Sequence, residues 1–391
     1  MSSLHLVRRG KTWYTVLAYR DADGKRRQKS QTTGTTDKGR AEQVYAERLA
    51  QLRAGIRLEE DPTVADWLTA WVEDVTGPGA ARRLAPNTVA DYRRIVQNEL
   101  IPAIGKGRLR DLRPADVQTM LAAMLTSGLA RATVRYRHAI LKASLHEAER
   151  QGLILRNAAA LARSIQPDPT PQEALRAEDA RRLVEAAAGD PWGPFVALAL
   201  LTGLRRGELL GLQWGDVDED LRALLVVRQR QRLKASGGVV ERPTKSRSSA
   251  RLVALPERAM GLLRAVRAAQ AEESLALGMP APGHVFAHRY RGQWLPWSPE
   301  SADENVRRLY GLAGLPVPAQ PMHALRHTHL TAVAAAGMSV RDAQTRAGHS
   351  DPGITLSVYT HATVEGQRAG AEAAAERLLP APPPEAAGRG V

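Results

Sequence analysis

The side chains best suited to chemistry lie near the carboxyl end. Met322 opens the run M-H-A-L-R-H-T-H-L-T-A-V-A-A-A-G, and S-V-R-D-A-Q-T-R-A-G-H-S-D-P-G-I-T-L-S-V-Y-T-H ends at His361. His323 and Arg326 stand three residues apart in a segment whose apolar residues Leu325, Leu330 and Val333 keep helical spacing, so both side chains can leave one face. Gly337 is placed to end that helix as a C′ glycine. Apolar or small residues then follow at Val340, Ala343 and Ala347, before Gly348-His349, a polar Ser-Asp-Pro-Gly turn, and a short helix that carries Tyr359. A tyrosine hydroxyl ordinarily titrates near about 10, so it attacks only where cations surround it or a neighbour takes its proton. Arginine offers a planar fork to phosphate oxygens and stays charged. A histidine, an arginine, a second histidine and a tyrosine from consecutive small elements therefore suit an anionic phosphorus centre, where transfer depends mainly on positioning and charge stabilisation.

The other half of such a clamp is expected upstream, and T-G-L-R-R-G-E at 202–208 supplies it after the apolar run Phe195 to Leu201. Gly203 breaks the first helix, Arg205 falls in the opening turn of the next, and Glu208 lies three residues on to orient it. Arg206 is expected to point elsewhere on the helix, either solvated or against a DNA backbone. Lys245 sits in a polar turn between Val239-Val240 and the strand Leu252 to Leu255, where a lysine on a hairpin tip can hand a proton to a leaving oxygen. The four-residue gap from His323 to His327 has the spacing of a metal pair, but the chain has no cysteine and no H-E-x-x-H. His327 is read as a structural polar group and no metal is expected. No phosphate-loop signature is present, and no cofactor is expected.

Five motifs, in order and spacing, resemble the tyrosine recombinases of the phage-integrase type, and the similarity runs over nearly the whole chain. They are T-G-L-R-R-G-E-L at 202–209, K-S-R-S-S-A-R at 245–251, H-A-L-R-H at 323–327, A-G-H-S-D at 347–351 and Y-T-H at 359–361. The resemblance implies that Arg205, Lys245, His323, Arg326 and His349 surround a scissile DNA phosphate and that Tyr359 is the nucleophile. In that scheme Arg205 and Arg326 neutralise the non-bridging oxygens and Lys245 is the general acid for the leaving 5′-oxygen. His323 takes the tyrosine proton or bonds the phosphate, and His349 bonds a non-bridging oxygen. The implied activity is that of a site-specific recombinase working through a 3′-phosphotyrosyl link, integrating or excising a phage or other mobile element without ATP. The implied assembly is a homotetramer on double-stranded DNA attachment sites, with room for an accessory DNA-bending or directionality factor. Ala347 departs from a common leucine and Asn157-Ala158 from a common Asn-Pro; neither touches the chemistry. A type IB topoisomerase-like strand transferase would share the chemistry without site specificity, and a non-catalytic DNA-binding regulator would share the surfaces. The basic N-terminal β unit speaks against the first, and the full set of six side chains against the second.

Composition fits a polyanionic partner: 55 Lys and Arg against 41 Asp and Glu give +14 over 391 residues. With 43% hydrophobic residues the chain can bury more than one core. No apolar run approaches the roughly 18 residues of a membrane span, and M-S-S-L-H-L-V-R-R-G-K lacks a signal-peptide core, so the expectation is a cytoplasmic protein. Zero cysteines exclude disulfides and thiolate chemistry.

The elements that must position the site suggest a multidomain, mainly α chain with small β-sheets. Residues 1–58 read as a β-rich unit, with strands Trp13–Tyr19 and Arg26–Thr33 about an Asp-Ala-Asp-Gly turn and a helix from Asp37 to Leu52. The resemblance makes this an arm-type DNA-binding domain. Residues 62–165 are nearly all helical, at 63–75, 87–99, 114–126 and 130–151, and correspond to a core-binding, SAM-like domain in the family. Arg93, Arg94, Arg131, Arg135, Arg137 and Lys142 are its candidate phosphate contacts. Prolines at 167, 169 and 171 imply a stiff linker. An α+β catalytic domain spans 174–379: a helix at Glu178–Ala188, a small antiparallel sheet from Leu221–Arg230, Val239-Val240 and Leu252–Leu255, a helix at Arg258–Leu277, and a surface loop over 278–299 with a buried patch at Val285-Phe286. Val364–Leu379 has strong helix propensity and, by resemblance, docks on a neighbouring protomer. Residues 380–391 are Pro/Gly-rich and expected to be disordered.

Overall fold

A computed structural model of the chain describes residues 2–21, 23–81, 84–166, 168, 174–243 and 250–348. Contacts divide the chain into two compact units, Met1–Thr170 and Pro171–Val391, and the division falls in the proline-rich stretch. Among the described residues no helix is long and apolar enough to cross a membrane.

The first unit opens with an antiparallel sheet of β1 (Ser3–Arg9), β2 (Thr12–Arg20) and β3 (Arg26–Thr32), in that order. Leu4 pairs directly with Leu17, and both are buried with Ile56 and Leu58 under α1 (Lys38–Arg53). Asp37 starts that helix by accepting the Arg40 backbone N–H at 2.8 Å, as its position before the helical run demands. A separate apolar cluster belongs to the helices that follow. Thr63 and Asp66 form a reciprocal cap at the head of α2 (Val64–Thr76), which turns Trp67, Leu68, Trp71 and Val72 inward. α3 (Pro86–Ile95) was expected to end at 99; instead a π-helical turn, Val96–Leu100, carries it into α4 (Ile101–Ile104). α5 (Pro114–Thr126), α6 (Arg131–Arg150) and the short α7 (Ala158–Leu161) complete the unit. Asn157 caps α7 by accepting from the Ala160 N–H and donates its own amide to the Lys142 carbonyl, so the cap works with Ala158 where proline is common.

Of the basic residues singled out on these helices, Arg94, Arg131, Arg135 and Lys142 are exposed, Arg131 donating to the Gln166 carbonyl. Arg137 is not available to a phosphate: it is buried and its guanidinium bonds the Glu99 carboxylate. Arg94 joins the same carboxylate, and Arg93 bonds Glu73 and Thr76.

The second unit begins with α8 (Ala177–Ala186), α9 (Gly193–Thr202) and α10 (Arg206–Leu210). The stretch read as one strand from 221 to 230 divides in two. β4 (Val217–Asp218), β5 (Ala223–Val226) and β8 (Arg251–Ala254) make one antiparallel sheet, while β6 (Arg228–Arg232) pairs with β7 (Val239–Pro243) in another. The interval 278–299 holds a hairpin rather than a loop alone: β9 (Ala287–Tyr290) pairs with β10 (Gln293–Pro296). Its turn is Arg291-Gly292, both at positive φ, the conformation that a tight hairpin requires. α11 (Glu257–Ala276) precedes the hairpin; α12 (Pro299–Leu312), α13 (Pro321–Ala335) and α14 (Val340–Ala347) follow it. Phe195, Leu198, Leu209, Leu224, Val253, Leu309, Tyr310 and Leu325 are fully buried in one cluster, each such side chain contributing about 1.5–3 kcal/mol.

Candidate active site

Four short segments of the second unit converge on a cleft of about 710 Å³ whose lining includes Arg205, Arg206, Arg230, Arg307, His323 and Arg326. Arg206, expected to point elsewhere, lines the same cleft as Arg205 because it is drawn to Asp303, the acidic residue of the lining. The sequence-predicted Arg205, His323 and Arg326 therefore share one strongly cationic cleft. Lys245, His349 and Tyr359 lie outside the described residues, as do the Ser-Asp-Pro-Gly turn, the helix expected over 364–379 and the terminal tail.

Local sequence explains the positions. α9 is apolar on every side and ends at Gly203, whose φ of +66 lies in the left-handed region and whose missing Cβ makes room for the His329 ring. Arg205 follows in extended conformation as the N-cap of α10. Its backbone N–H donates to Glu208 Oε2 at 2.9 Å and its Nη1 to Glu208 Oε1 at 2.9 Å, the orienting role that three-residue spacing suggested. Arg326 projects from α13 and is 3% exposed. It donates from Nη1 to the Gly203 carbonyl and from Nη2 to the Ala347 carbonyl, both at 2.6 Å.

Sequence reasoning missed Arg251, the first residue of β8. Its guanidinium spans Glu208, Nη1 to Oε1 at 3.0 Å and Nη2 to Oε2 at 2.9 Å, and its Nε donates to the Arg346 carbonyl at 2.8 Å. Arg205 Nη2 donates to the Gly348 carbonyl at 2.7 Å. Three consecutive carbonyls at the negative end of α14, those of residues 346, 347 and 348, thus each receive a guanidinium from a different segment. The signal was present: counting back in twos from the buried Leu255 and Val253 places Arg251 on the inward face of its strand.

Electrostatics follows from the packing. Burial pushes the Glu208 carboxyl up, but bonds and charge from Arg251 and Arg205 outweigh it and hold the group below the ordinary glutamate range. Burial, then the charge of Arg205, draws Arg326 down to about 9, which leaves it charged at neutral pH. His323 is lowered by burial and by Arg326 and Arg205, so its imidazole is biased towards the neutral form that can accept a proton. Its Nε2 lies 3.0 Å from His327 Nε2, one ring donating to the other. His327 is buried, as its structural reading expected, and is held at about 4 by burial and by His323.

His329 is a second residue whose part the sequence did not disclose. Its Nδ1–H donates to the Leu200 carbonyl at 2.8 Å, which leaves Nε2 to accept from Arg346 Nε at 2.8 Å. Arg346 also bonds the Leu201 and Ala254 carbonyls, so this histidine, kept neutral, ties α14 to α9 and β8. Protonating Nε2 would set two donors against each other. Burial and Arg346 accordingly depress His329 from 6.5 to about 4. A depressed histidine stabilises the fold fully above the unfolded value and loses that contribution as pH falls towards its folded value. The second unit should therefore lose on the order of 3 kcal/mol from this group between about pH 6.5 and 4. Melting temperatures measured at steps across that interval check it; a flat profile would contradict the neutral acceptor.

The phage integrase family matches residues 173–365, and the N-terminal SAM-like domain of phage integrases matches 63–125. A tyrosine recombinase XerC of Mesorhizobium japonicum is 30% identical, the alignment covering 71% of this chain and 86% of the relative. A XerC-like tyrosine recombinase of Caldanaerobacter subterraneus is 26% identical over 91% of this chain and 94% of its own length. Among solved structures, the Tn1549 transposon integrase in complex with a circular intermediate DNA superposes with a TM-score of 0.67 at 23% identity, over 80% of this chain and 99% of that one. A lambda integrase dimer bound to a core site gives 0.54 at 18% identity, over 91% and 94%. These likenesses define the fold as a multidomain α/β architecture of the integrase type. The chain belongs to the phage integrase family of tyrosine recombinases. Its activity is that of a site-specific recombinase, cleaving and rejoining DNA.

Proposed function

We propose that Tyr359 attacks a phosphodiester of double-stranded DNA within the cationic cleft. The bond from Tyr359 Oη to phosphorus forms as the bond to the 5′-oxygen breaks, leaving a 3′-phosphotyrosyl link and a free 5′-hydroxyl. Arg205 and Arg326 neutralise the non-bridging oxygens; His323 accepts the tyrosine proton or bonds the phosphate; His349 bonds a non-bridging oxygen; Lys245 protonates the leaving oxygen. A second strand's 5′-hydroxyl reverses the step, so one ester replaces another and no energy source is consumed.

The observation that carries this reading is the meeting of Arg205 and Arg326. Arg326 lies 123 residues from the Gly203 carbonyl it bonds, yet both guanidiniums reach the end of α14 beside one cleft, and His349 is the next residue in sequence after Gly348. The three-stranded sheet of residues 3–32 serves arm-type sites, and the helices of 63–165 contact the core site through exposed cations such as Arg135 and Lys142. The Tn1549 integrase in complex with a circular intermediate DNA supports DNA as substrate, and a lambda integrase tetramer bound to a Holliday junction supports a tetrameric working form. An accessory bending or directionality factor would act on that assembly.

Incubation with a nicked duplex bearing the attachment site, followed by a denaturing gel, tests the reading. Wild-type protein should form a covalent adduct and Tyr359→Phe none. Absence of the wild-type adduct, or its persistence in Tyr359→Phe, removes Tyr359 as nucleophile. Relaxation of supercoiled plasmid lacking any site would instead favour a topoisomerase-like strand transferase.

A further inference from the structure

We infer that Arg251 is a positioning residue for strand cleavage, holding Glu208 so that Arg205 keeps its charge for the phosphate. The inference rests on the reading of Arg205 as a phosphate ligand. Arg251 does not line the cleft and is 6% exposed, so it acts through its neighbours.

Glu208 is 4% exposed and its two oxygens face two guanidiniums. Arg251 takes both oxygens as a fork, and Arg205 shares only Oε1 through one Nη, its other Nη being set on the Gly348 carbonyl. With Arg251 in place the carboxylate is already neutralised, and the positive charge of Arg205 remains for an anion in the cleft. Without it, the buried carboxylate would have Arg205 as its one remaining guanidinium partner in this set. The Arg205 fork would turn onto it, and the cation facing the phosphate would be spent. The same residue fixes the far side of the arrangement, because its Nε holds the Arg346 carbonyl, two residues before the Gly348 carbonyl that receives Arg205. Gly348 closes round this group: at φ +64, a Cβ there would stand 2.8 Å from Arg251 Nη1 and 3.3 Å from Arg205 Nη1. The buried guanidinium and the glycine fit each other.

The test uses full-length protein and single-turnover adduct formation on the nicked duplex. Arg251→Met should slow adduct formation on the order of 100-fold while leaving the Kd for the duplex within about threefold. A second substrate replaces one non-bridging oxygen of the scissile phosphate by methyl, which removes the charge Arg205 neutralises. Attack by Tyr359 still forms the oxygen–phosphorus bond and releases the 5′-hydroxyl. On it, Arg251→Met should come within about tenfold of wild type, a recovery that a merely structural loss would not give. An undiminished rate on ordinary DNA overturns the inference, as does an equal deficit on both substrates. If Arg251→Met fails to fold by thermal unfolding, Arg251→Lys replaces it: one ammonium cannot span both Glu208 oxygens, and the same recovery on the methylated substrate is expected. A wild-type protein that forms no adduct overturns the cleavage reading itself, whereas a wild-type adduct with an unimpaired Arg251→Met overturns this inference alone.

Discussion

Replacing Arg326 by alanine should lower the rate of strand cleavage by about 100- to 1000-fold, the usual loss for one preorganised donor to a developing anionic centre. In the proposed mechanism the deficit should be in the chemical step, because the buried side chain would meet one phosphate, while many exposed cations would share the work of holding DNA. Arg326→Lys should fall nearly as far. The native fork reaches two carbonyls, Gly203 and Ala347, that belong to different helices, and a single ammonium cannot keep both while facing the cleft. Removing the fork also leaves two inward carbonyls without their donor, at about 1–3 kcal/mol each, so a lowered melting temperature should accompany the kinetic loss. Single-turnover adduct assays at saturating DNA, beside thermal unfolding, separate the two effects. An Arg326→Lys protein that cleaves at the wild-type rate would show that charge without fork geometry suffices.

Glu208→Ala should destabilise the second unit by about 3–5 kcal/mol. The carboxylate accepts from two guanidiniums and a backbone N–H, and its removal strands the buried Arg251 without a counter-charge. The exposed pair of Arg93 with Glu73 provides the contrast: solvent screens it, and Glu73→Ala should cost under about 1 kcal/mol. Urea unfolding of the two variants gives the comparison directly. The depressed Glu208 group adds an acid signature of its own. A carboxylate held low in the folded state stabilises above its unfolded value and withdraws that support as pH falls through the folded one, so the wild type should lose stability below the ordinary glutamate range and Glu208→Gln should lack that component. Equal stability of Glu208→Ala and Glu73→Ala would contradict the buried network.

Much of this was legible before any coordinates. Arg205 with Glu208, and His323 with Arg326, are pairs at helical spacing, and such spacing fixes relative direction without knowledge of the fold. Element ends marked by Asp37 and Gly337 were equally open, because caps are local. What stayed hidden was long-range. Arg251 meets Glu208 across 43 residues, and Arg346 meets Leu201 across 145. Neither partner leaves a mark near the other in sequence. β8 is misleading at first sight as well, since Leu252 is 55% exposed while the arginine beside it faces inward. The hairpin at 287–296 escaped notice because its turn uses Arg-Gly where Asn-Gly or Asp-Gly is the familiar sign. Arg137 shows the limit in the other direction. On paper it is one more helix cation, and only tertiary packing reveals that Glu99 consumes it.

The arginines that grip the end of α14 hold main-chain oxygens, and every amino acid supplies one. Residue 347 can therefore change without loosening Arg326, within the small space beside Leu330, whereas Arg346 is held by what its own side chain bonds, His329 and the Leu201 and Ala254 carbonyls. Length is another matter. Deleting or adding one residue in that helix would rotate its final carbonyls by about 100° and present each guanidinium with the wrong atom. Evolution can respell position 347 of this turn, but cannot recount it.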